Sequence, residues 1–269
     1  YINNGNKTFT ESSADYFNHT SRFTMGVDIA DITNDGNLDI MTLDMMPYKA
    51  DIFLKSGGED SDKVNQIKNS FGFQQQYARN HMQLNKGKFF VDASLIANTQ
   101  ATDWSWSPLI MDFNNDGLTD LYFTANQSED KLYLNLGDFI FDDITALSGI
   151  DNSSNWTTGS TVVDINNDGL LDIYTVNYVE SSAFLYDEDE EINGFDHDCY
   201  ENKFYKNNGD GTFSEISAAL GLTNNGCALA VMPTDFDQDN DADLYIANDF
   251  GEFIVPNSIL RNNLPSSSF

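Results

Sequence analysis

The chain has 269 residues, with 43 acidic and 13 basic side chains that give a formal net charge of −30 at pH 7. Its hydrophobic content of 40% is ordinary for a folded protein with a sizeable core, but the strong negative charge argues against nucleic acid or anionic membranes as partners. No apolar run is long enough to predict a transmembrane helix, so direct membrane insertion is not expected.

A loop of nine residues occurs four times along the chain, at residues 31–39, 112–120, 164–172 and 235–243. Each copy reads D-x-[N/T/D]-x-D-[G/N]-x-x-D. Side-chain oxygens at the first, third, fifth and ninth places, with a backbone carbonyl at the seventh, can converge on one hard cation, and glycine at the sixth place supplies the sharp turn. The pattern therefore predicts about four Ca²⁺ sites. The predicted ligands are Asp31, Thr33, Asp35, Asn37 and Asp39; Asp112, Asn114, Asp116, Leu118 and Asp120; Asp164, Asn166, Asp168, Leu170 and Asp172; and Asp235, Asp237, Asp239, Asp241 and Asp243.

These loops differ from the EF-hand, which opens in the same way but has a bidentate glutamate at the twelfth place and lies between helices. Here the twelfth places hold Thr42, Phe123, Thr175 and Ile246, and none of these carries a carboxylate. The flanking segments are short β-branched or aromatic runs, which predict strands. We therefore expect each loop to join two strands.

A second pattern follows each loop: a short strand that ends in asparagine, a tight turn and then, in most copies, a phenylalanine. The clearest copy is residues 204–213, and related copies lie at 1–9, 82–89 and 132–139. Asn-Gly between strands favours the positive φ angles of a tight hairpin turn. The repeat unit is thus two hairpins, and four antiparallel strands repeated about an axis predict an all-β fold, the β-propeller.

The uneven spacing of the loops predicts insertions in a repeat of about 50 residues. We interpret the chain, 1–269, as part of one propeller, within a larger ring of about seven blades. Val64, Ile67 and Phe71 recur at helical spacing and predict a short helix in the first insertion. The expected division is 1–20 for the outer strands of a preceding blade, 21–98 for a blade with a helical insertion at 45–80, 99–150 for a second blade, 151–222 for a blade with an acidic insertion at 178–201, and 223–269 for the start of a further blade.

The tryptophans are the candidate ligand-binding residues. Trp104 and Trp106 stand two apart, which on a strand places them on one face, and Trp156 occupies a similar place in the next blade. They either form an aromatic platform for a sugar ring or a partner's side chain, or they pack between blades. Both readings remain open from the sequence.

The chain offers no catalytic constellation. Its three histidines, His19, His81 and His197, are scattered and have no metal-ligand spacing. There is no nucleophile elbow, phosphate-binding glycine loop or Cys/His nucleophile pattern. We therefore predict no catalytic residue and do not expect an enzyme.

Four stretches carry a family resemblance: residues 102–108, 207–213, 226–230 and 247–251. They resemble the FG-GAP or VCBS repeat superfamily, whose calcium-loop blades also build the head of integrin α-subunits. They are most similar to secreted cartilage acidic protein-like chains with VCBS repeats, common in Bacteroidota. The resemblance implies a calcium-binding propeller but no common catalytic activity. The chain departs from the pattern at Thr33 and Asn240, which implies weaker sites in the first and fourth loops.

The two cysteines, Cys199 and Cys227, leave two alternatives open. A disulfide would suit an exported protein and agrees with the resemblance, and the alternative is two unpaired buried thiols. Calcium affinities typical of extracellular modules, roughly 10⁻⁴ to 10⁻³ M, also suit a location outside the cell. We expect a secreted or cell-surface protein.

We expect the metal to be structural. Carboxylates about 4 Å apart repel by about 4 kcal/mol per pair at an effective dielectric near 20, and calcium bound only to the folded state would reverse that cost. The leading hypothesis is a calcium-stabilised extracellular binding, adhesion or scaffold module that recognises a protein or a glycan, alone or in a larger surface assembly. The alternative is a carbohydrate-active enzyme or its lectin-like subunit, whose paired carboxylates would be assembled only in three dimensions.

Overall fold

The computed structural model describes residues 1–55, 60–126, 128–151, 155–249, 251 and 254–263. The other parts of the predicted units, at 56–59, 127, 152–154, 250, 252–253 and 264–269, lie outside the described residues. The prediction of an all-β chain is confirmed, because strands make up most of the regular structure and the helices are few and short.

The strands follow one another mostly as hairpins. In chain order the elements are β1 (Ile2–Asn3), β2 (Phe9–Thr10), α1 (Ser13–Tyr16), β3 (His19–Ser21), β4 (Gly26–Ala30), β5 (Asp39–Leu43), β6 (Met45–Met46), α2 (Ala50–Phe53), α3 (Asp62–Ser70), β7 (Gln75–Tyr77), β8 (His81–Asn85), β9 (Phe90–Asp92), β10 (Asp103–Trp104), β11 (Pro108–Met111), β12 (Asp120–Phe123), β13 (Lys131–Asn135), β14 (Phe141–Asp143), a 3₁₀ turn (Thr145–Leu147), β15 (Thr157–Val163), β16 (Asp172–Asn177), β17 (Val179–Tyr186), β18 (Ile192–Cys199), β19 (Lys203–Asn207), β20 (Phe213–Glu215), α4 (Ser217–Leu220), β21 (Ala228–Thr234), β22 (Asp243–Asn248) and β23 (Ser258–Leu260).

Within the described ranges, four sheets of three or four strands form the body of the chain. We call them sheet 1 (β4-β5-β8-β9), sheet 2 (β11-β12-β13-β14), sheet 3 (β15-β16-β19-β20) and sheet 4 (β21-β22-β23). All their pairings are antiparallel and follow the order of the chain. An aspartate loop joins the first two strands of every sheet, and a short turn joins the third and fourth strands of sheets 1 to 3.

The core lies between successive sheets. Met41 and Met82 of sheet 1 pack with Ile110 and Phe123 of sheet 2 in one buried cluster. Similar clusters join sheet 2 to sheet 3 and sheet 3 to sheet 4. Full burial of such a side chain stabilises the fold by about 1.5–3 kcal/mol. The second strand of an inner sheet is therefore buried on both faces, as in β16, whose six residues are all buried.

The first strands of neighbouring sheets lie side by side. Thr158 in β15 donates its hydroxyl to the carbonyl of Ala228 in β21, with 2.6 Å between the oxygens. Gly26 in β4 allows the same approach to sheet 2, because a Cβ there would lie 2.2 Å from the carbonyl oxygen of Trp106. The first strands of successive sheets are therefore neighbours.

In each of the four sheets, one side chain hydrogen bonds across the base of the connection between the second and third strands. Asn80 Oδ1 accepts the backbone N–H of Asp44 at 2.8 Å, and Asn202 Oδ1 accepts that of Asn177 at 2.8 Å. The shorter connections of sheets 2 and 4 are closed in the same way by Asp130 and Asn257. Short and long connections share this hydrogen bond at the base. A long insertion therefore lowers the stability of the sheet only a little.

Two of these connections carry insertions. The first contains β6, α2, α3 and β7, and the side chain of Ser61 caps α3 by accepting the Val64 N–H at 3.4 Å. β7 pairs with β3 in parallel, a pairing that the sequence patterns did not predict. The second insertion is the hairpin β17–β18, whose turn is the acidic run 187–191. No helix among the described residues has the length and apolar content needed to cross a membrane.

Candidate functional site

The four aspartate loops lie at the same end of the sheets, and each makes the predicted sharp turn. Gly36, Gly117 and Gly169 at the sixth place have φ between +85° and +87°, and Asn240 adopts the same region at +74°. A second left-handed residue at the fourth place was not predicted. The fourth-place residues are Asn34, Asn115, Asn167 and Gln238.

The first aspartate of each loop holds the turn together. In the second loop, Asp112 accepts the backbone N–H groups of Asp116 at 3.1 Å and Gly117 at 2.8 Å. Asp116 in turn accepts the N–H of Leu118 at 2.8 Å. The first and third loops repeat this arrangement. A carboxylate oxygen has more than one lone pair, so these bonds leave capacity for a cation.

The ninth aspartate of each loop is fully buried, and both of its oxygens accept backbone N–H groups. Asp120 accepts those of Phe113 at 2.9 Å and Asn135 at 2.8 Å. Burial, and then the charges of Asp116 and Asp112, raise the pKa of Asp120 to about 6. The same bonds and full burial recur at Asp39, Asp172 and Asp243.

The fourth loop brings the most carboxylates together. One oxygen each from Asp235, Asp237 and Asp239 lie within 4.8 Å of one another. Burial and the charge of Asp239 raise the pKa of Asp241 to about 6. Separations of this size suit a shared Ca²⁺ ion, which takes oxygen ligands at about 2.3–2.6 Å.

The donor chemistry of all four loops fits calcium, because every predicted ligand atom is an oxygen. The Oγ1 of Thr33, at the third place of the first loop, is buried and has no hydrogen-bond partner among the described residues. In three loops one basic side chain lies 3.0–3.5 Å from a carboxylate, but these partly exposed pairs contribute little. These side chains are Lys86, Lys206 and Arg261.

A set of asparagines, which the sequence patterns assign only to turns, connects each loop to the next sheet. Asn207, at the end of β19, donates from Nδ2 to the carbonyls of Leu171 at 3.0 Å and Phe113 at 2.9 Å. Leu171 belongs to its own loop, and Phe113 to the loop of the preceding sheet. The equivalent Asn135 and Asn262 reach the carbonyls of Ile32 and Ile165. Each of the first three loops is therefore hydrogen bonded to the sheet that follows it.

The opposite end of the sheets carries both insertions and a cavity of about 340 Å³. Asp103 in this cavity has a left-handed backbone, with φ +69°, and burial raises the pKa of its carboxyl group. Apolar cavities with a few polar groups are typical ligand sites. The lining residues are Phe23, Met45, Pro47, Ile52, Phe53, Ala78, Asp103 and Trp104.

The prediction that Trp104 and Trp106 share one face of a strand is wrong. Strand β10 ends at Trp104, which pairs with Met45 in β6. The chain then turns at Ser105, whose Oγ donates to the carbonyl of Thr102 at 2.9 Å. The two indole rings therefore belong to different surroundings, and only Trp104 lines the cavity.

Trp106 instead joins Trp156 in a row of aromatic rings across sheets 2 and 3. The two indoles meet edge to face with 6.0 Å between centroids, and Trp156 meets Tyr178 with 5.1 Å. The Nε1 atoms of both tryptophans are buried and have no hydrogen-bond partner among the described residues. This packing favours a role between neighbouring sheets for Trp106 and Trp156.

A disulfide joins Cys199 to Cys227, with 4.9 Å between their Cα atoms. Of the two alternatives left open by the sequence, the structure has the bond. It ties the end of the second insertion to the residue before β21. Nearby, the hydroxyl of Tyr178 donates to Asp249 Oδ2 at 2.7 Å.

The expectation that the histidines are unrelated is wrong for two of them. His19 in β3 and His81 in β8 are far apart in sequence, yet their ring centroids lie 5.1 Å apart. The carboxylate of Asp92 lies 2.9 Å from His19 Nε2. The unpredicted pairing of β3 with the first insertion accompanies this cluster, and no local sequence spacing could have indicated it.

Two distant likenesses illustrate what the comparison with solved structures finds. An Agrocybe aegerita lectin that specifically recognises non-reducing terminal N-acetylglucosamine matches with 15% identity and a TM-score of 0.37, over 87% of this chain and 51% of the lectin. The V. cholerae biofilm matrix protein Bap1 matches with 14% identity and a TM-score of 0.39, over 86% of this chain and 37% of Bap1. The chain thus spans about half the length of the first and little more than a third of the second.

The family is shown by the repeats themselves. No curated protein sequence matches this chain, so the narrower resemblance to cartilage acidic protein-like chains stays a prediction. The model of the FG-GAP-like repeat matches residues 1–42, 112–175 and 187–246, which is more than half of the chain. These matches include all four aspartate loops in full. The chain belongs to the FG-GAP-like repeat family.

Proposed function

We propose that this chain is a calcium-stabilised binding or adhesion module, or a scaffold, that works outside the cell. The observation that carries the proposal is the division between the two ends of the sheets. The candidate metal loops lie at one end, and both insertions, the large cavity and the exposed Trp104 lie at the other. One end supplies rigidity and the other supplies a surface that recognises a protein or a glycan.

We also propose that the sheets are blades of a β-propeller. Three features support this: strands pair in chain order, the first strands of successive sheets lie side by side, and the core fills the space between sheets. Radial repetition of such sheets leaves only short, protected edges. The ring of about seven blades expected from the sequence is part of this proposal.

Calcium in the four loops would act as a structural ion. The buried ninth aspartates support this role, because their charges face other carboxylates at the centre of each loop. A site filled at ten times its dissociation constant stabilises the folded state by about 1.4 kcal/mol. The proposed location fits as well, because calcium is abundant outside cells and the disulfide between Cys199 and Cys227 would persist there.

The insertions support a partner at the opposite end. Helix α3 buries none of its residues, so its apolar side chains remain exposed; Ile67 is 49% exposed, and Phe71, which follows the helix, is 78% exposed. On the hairpin β17–β18, Phe184 is 56% and Tyr186 59% exposed. Apolar side chains exposed on both insertions are typical of surfaces that become covered in an assembly.

Glycan arrays in calcium, with Trp104→Ala beside Tyr48→Ala, test the glycan form of the proposal. Trp104 lines the cavity, whereas Tyr48 is an exposed aromatic residue of the first insertion that does not line it. We expect Trp104→Ala to lose binding with an unchanged melting temperature and Tyr48→Ala to keep it. Equal binding by both variants would contradict a glycan site in this cavity and leave a protein partner on the insertions.

The second candidate is a carbohydrate-active enzyme, favoured by one observation. Asp103 lies beside Trp104 in the cavity of about 340 Å³ and combines a strained backbone with a raised pKa, as proton donors often do. Glycoside hydrolysis uses two carboxyl groups, and Asp103 is the one carboxyl group among the described residues that line the cavity. Assay of any bound glycan for cleavage products decides: turnover lost in Asp103→Asn would establish the enzyme.

A further inference from the structure

The cluster of His19, His81 and Asp92 lies apart from the aspartate loops and from the large cavity. It occupies the outward face of sheet 1, where β3 crosses β8 and β9. His81 is 1% exposed, and neither of its ring nitrogens has a hydrogen-bond partner among the described residues. A fully buried imidazole without any partner leaves two polar atoms unsatisfied, which is costly unless something binds them.

The unpartnered imidazole lines a small cavity. This space of about 160 Å³ opens to solvent, and its mostly apolar lining includes both histidines together with Thr42 and Gln83. The Oγ1 of Thr42 is also buried without a hydrogen-bond partner in the described part of the chain. Buried polar atoms that lack partners thus lie beside a space through which an ion or ligand can reach them.

The donor atoms have the separations of a metal site. His19 Nε2 lies 2.9 Å and His81 Nε2 lies 4.0 Å from Asp92 Oδ2, and one ligand atom of each residue lies within 4.8 Å of the other two. A tetrahedral ion with bonds of about 2.0–2.1 Å needs donors roughly 3.3 Å apart. The observed distances bracket that value, so small side-chain movements would complete the site.

The chemistry of the donors selects the ion. Two imidazole nitrogens and one carboxylate oxygen suit zinc and similar divalent transition metals, whereas Ca²⁺ takes oxygen ligands. A metal ion takes the lone pair of a neutral imidazole nitrogen, and the buried ring of His81 has two nitrogens without a partner among the described residues. Arg79 Nη2 lies 2.9 Å from Asp92 Oδ2 and 3.5 Å from His19 Nε2, so its guanidinium must move aside when an ion binds. Asp92 and Asp44 supply negative charge near His81, which favours a cation there.

We propose that His19, His81 and Asp92 bind one zinc-class divalent transition-metal ion, with the fourth coordination position open to the cavity. This site uses none of the predicted calcium ligands and none of the residues that line the large cavity. It fastens the segment that carries β3 onto sheet 1.

Calorimetric titration of the metal-stripped chain with Zn²⁺, in enough Ca²⁺ to saturate the loops, tests the site. We expect one Zn²⁺ per chain and a weakening of at least roughly 10- to 100-fold in His81→Asn, the loss that even outer-shell partners produce. His197→Asn is the matched control, because His197 lies on β18 outside the cluster. Co²⁺ in place of Zn²⁺ should give the absorption of a tetrahedral site in the wild type and lose it in His81→Asn.

His19→Asn guards against a folding defect, because His19 is 19% exposed whereas His81 is buried in the sheet. Its affinity for Zn²⁺ should fall while its melting temperature in Ca²⁺ without Zn²⁺ stays that of the wild type. Absence of Zn²⁺ binding by the wild type would overturn the proposal. So would equal affinity in His19→Asn and His197→Asn, which would assign the bound zinc to the aspartate loops.

Discussion

Calcium should reverse the pH dependence of stability of this protein. Burial raises the pKa of Asp120 and Asp172 to about 6 from an ordinary value of 3.8. Each shift corresponds to about 3 kcal/mol at about 1.36 kcal/mol per pKa unit. Both side chains are 0% exposed, so solvent screening is small, and we take about 2–3 kcal/mol for each group.

The sign follows from the direction of the shift. Without calcium, the folded state binds these two protons more tightly than the unfolded state does, so their contribution is fully present below about pH 4 and is lost as the pH rises through about 6. Carboxyl groups whose pKa is lowered, such as Asp60 and Asp92, act below about pH 4. Burial lowers the pKa of His81 to about 4, so this group gains stability as the pH rises and offsets about one of the two raised carboxyl groups. The calcium-free protein should therefore lose stability between about pH 4.5 and 7. Calcium stabilises the ionised carboxylates, so the bound form should gain stability over the same range.

Thermal unfolding at several pH values, with calcium or after chelation, measures the effect. At about 2–4 °C per kcal/mol for a chain of this size, each group should change the calcium-free melting temperature by roughly 5–10 °C. Asp172→Asn should remove its share of the calcium-free pH dependence and weaken the calcium response. Glu188→Gln, on the exposed turn of β17–β18, removes one negative charge elsewhere and serves as the control.

A calcium-free melting temperature that rises from about pH 4.5 to 7 in parallel with the calcium-bound form would refute this reasoning. So would identical behaviour of Asp172→Asn and Glu188→Gln. Either result would mean that the buried ninth aspartates do not carry the electrostatic cost from which we infer calcium binding.

Three further predictions concern single positions. Asn207→Ala should lower the free energy of unfolding by about 2–4 kcal/mol, because two backbone carbonyls lose their donor. Asn208→Ala, at the exposed neighbour, should lower it by under about 1 kcal/mol. Denaturant unfolding compares the two variants, and equal losses would contradict the role of the buried Asn207 amide. Asn240→Gly should stabilise the metal-free chain by about 0.5–1 kcal/mol and so raise its melting temperature, because glycine adopts the φ of +74° without the strain of a side chain. A lower melting temperature would show that the Asn240 amide is needed. Peptide mass spectrometry without reduction should find Cys199 linked to Cys227, and reduction should cost about 2–4 kcal/mol; two free thiols in protein from an oxidising compartment would contradict the bond.

The fold was predictable where local chemistry determines it. Asp112, Gly117 and Asp120 specify a tight loop by their spacing alone, because the backbone bonds and the left-handed residue lie within nine positions. The apolar spacing of Val64 and Ile67 predicts a helix, and α3 spans both residues. These features depend on contacts between near neighbours in sequence, and periodicity and turn preferences predict such contacts.

The missed features depend on contacts between distant segments. The parallel pairing of β3 with β7 and the meeting of His19 with His81 depend on how an insertion folds back on a sheet. The amide of Asn207 bonds to Phe113 in another sheet, while its sequence context predicts only a turn. The tryptophan prediction failed because a break at Ser105 interrupts the strand, and alternation along a strand holds only while the strand continues.

A metal loop at one end of a sheet can control an insertion at the other end because one strand joins them. In sheet 1, Asp39 is the ninth residue of the loop and also the first residue of β5. β5 ends at Leu43, and the next residue, Asp44, is fully buried and bonded to Asn80 at the base of the first insertion. Five residues of strand span about 16 Å, and this strand is buried between its neighbours on one face. A cation that fixed Asp39 would therefore also fix the residue from which the insertion starts, and the proposed calcium binding and partner recognition would be coupled through this one strand.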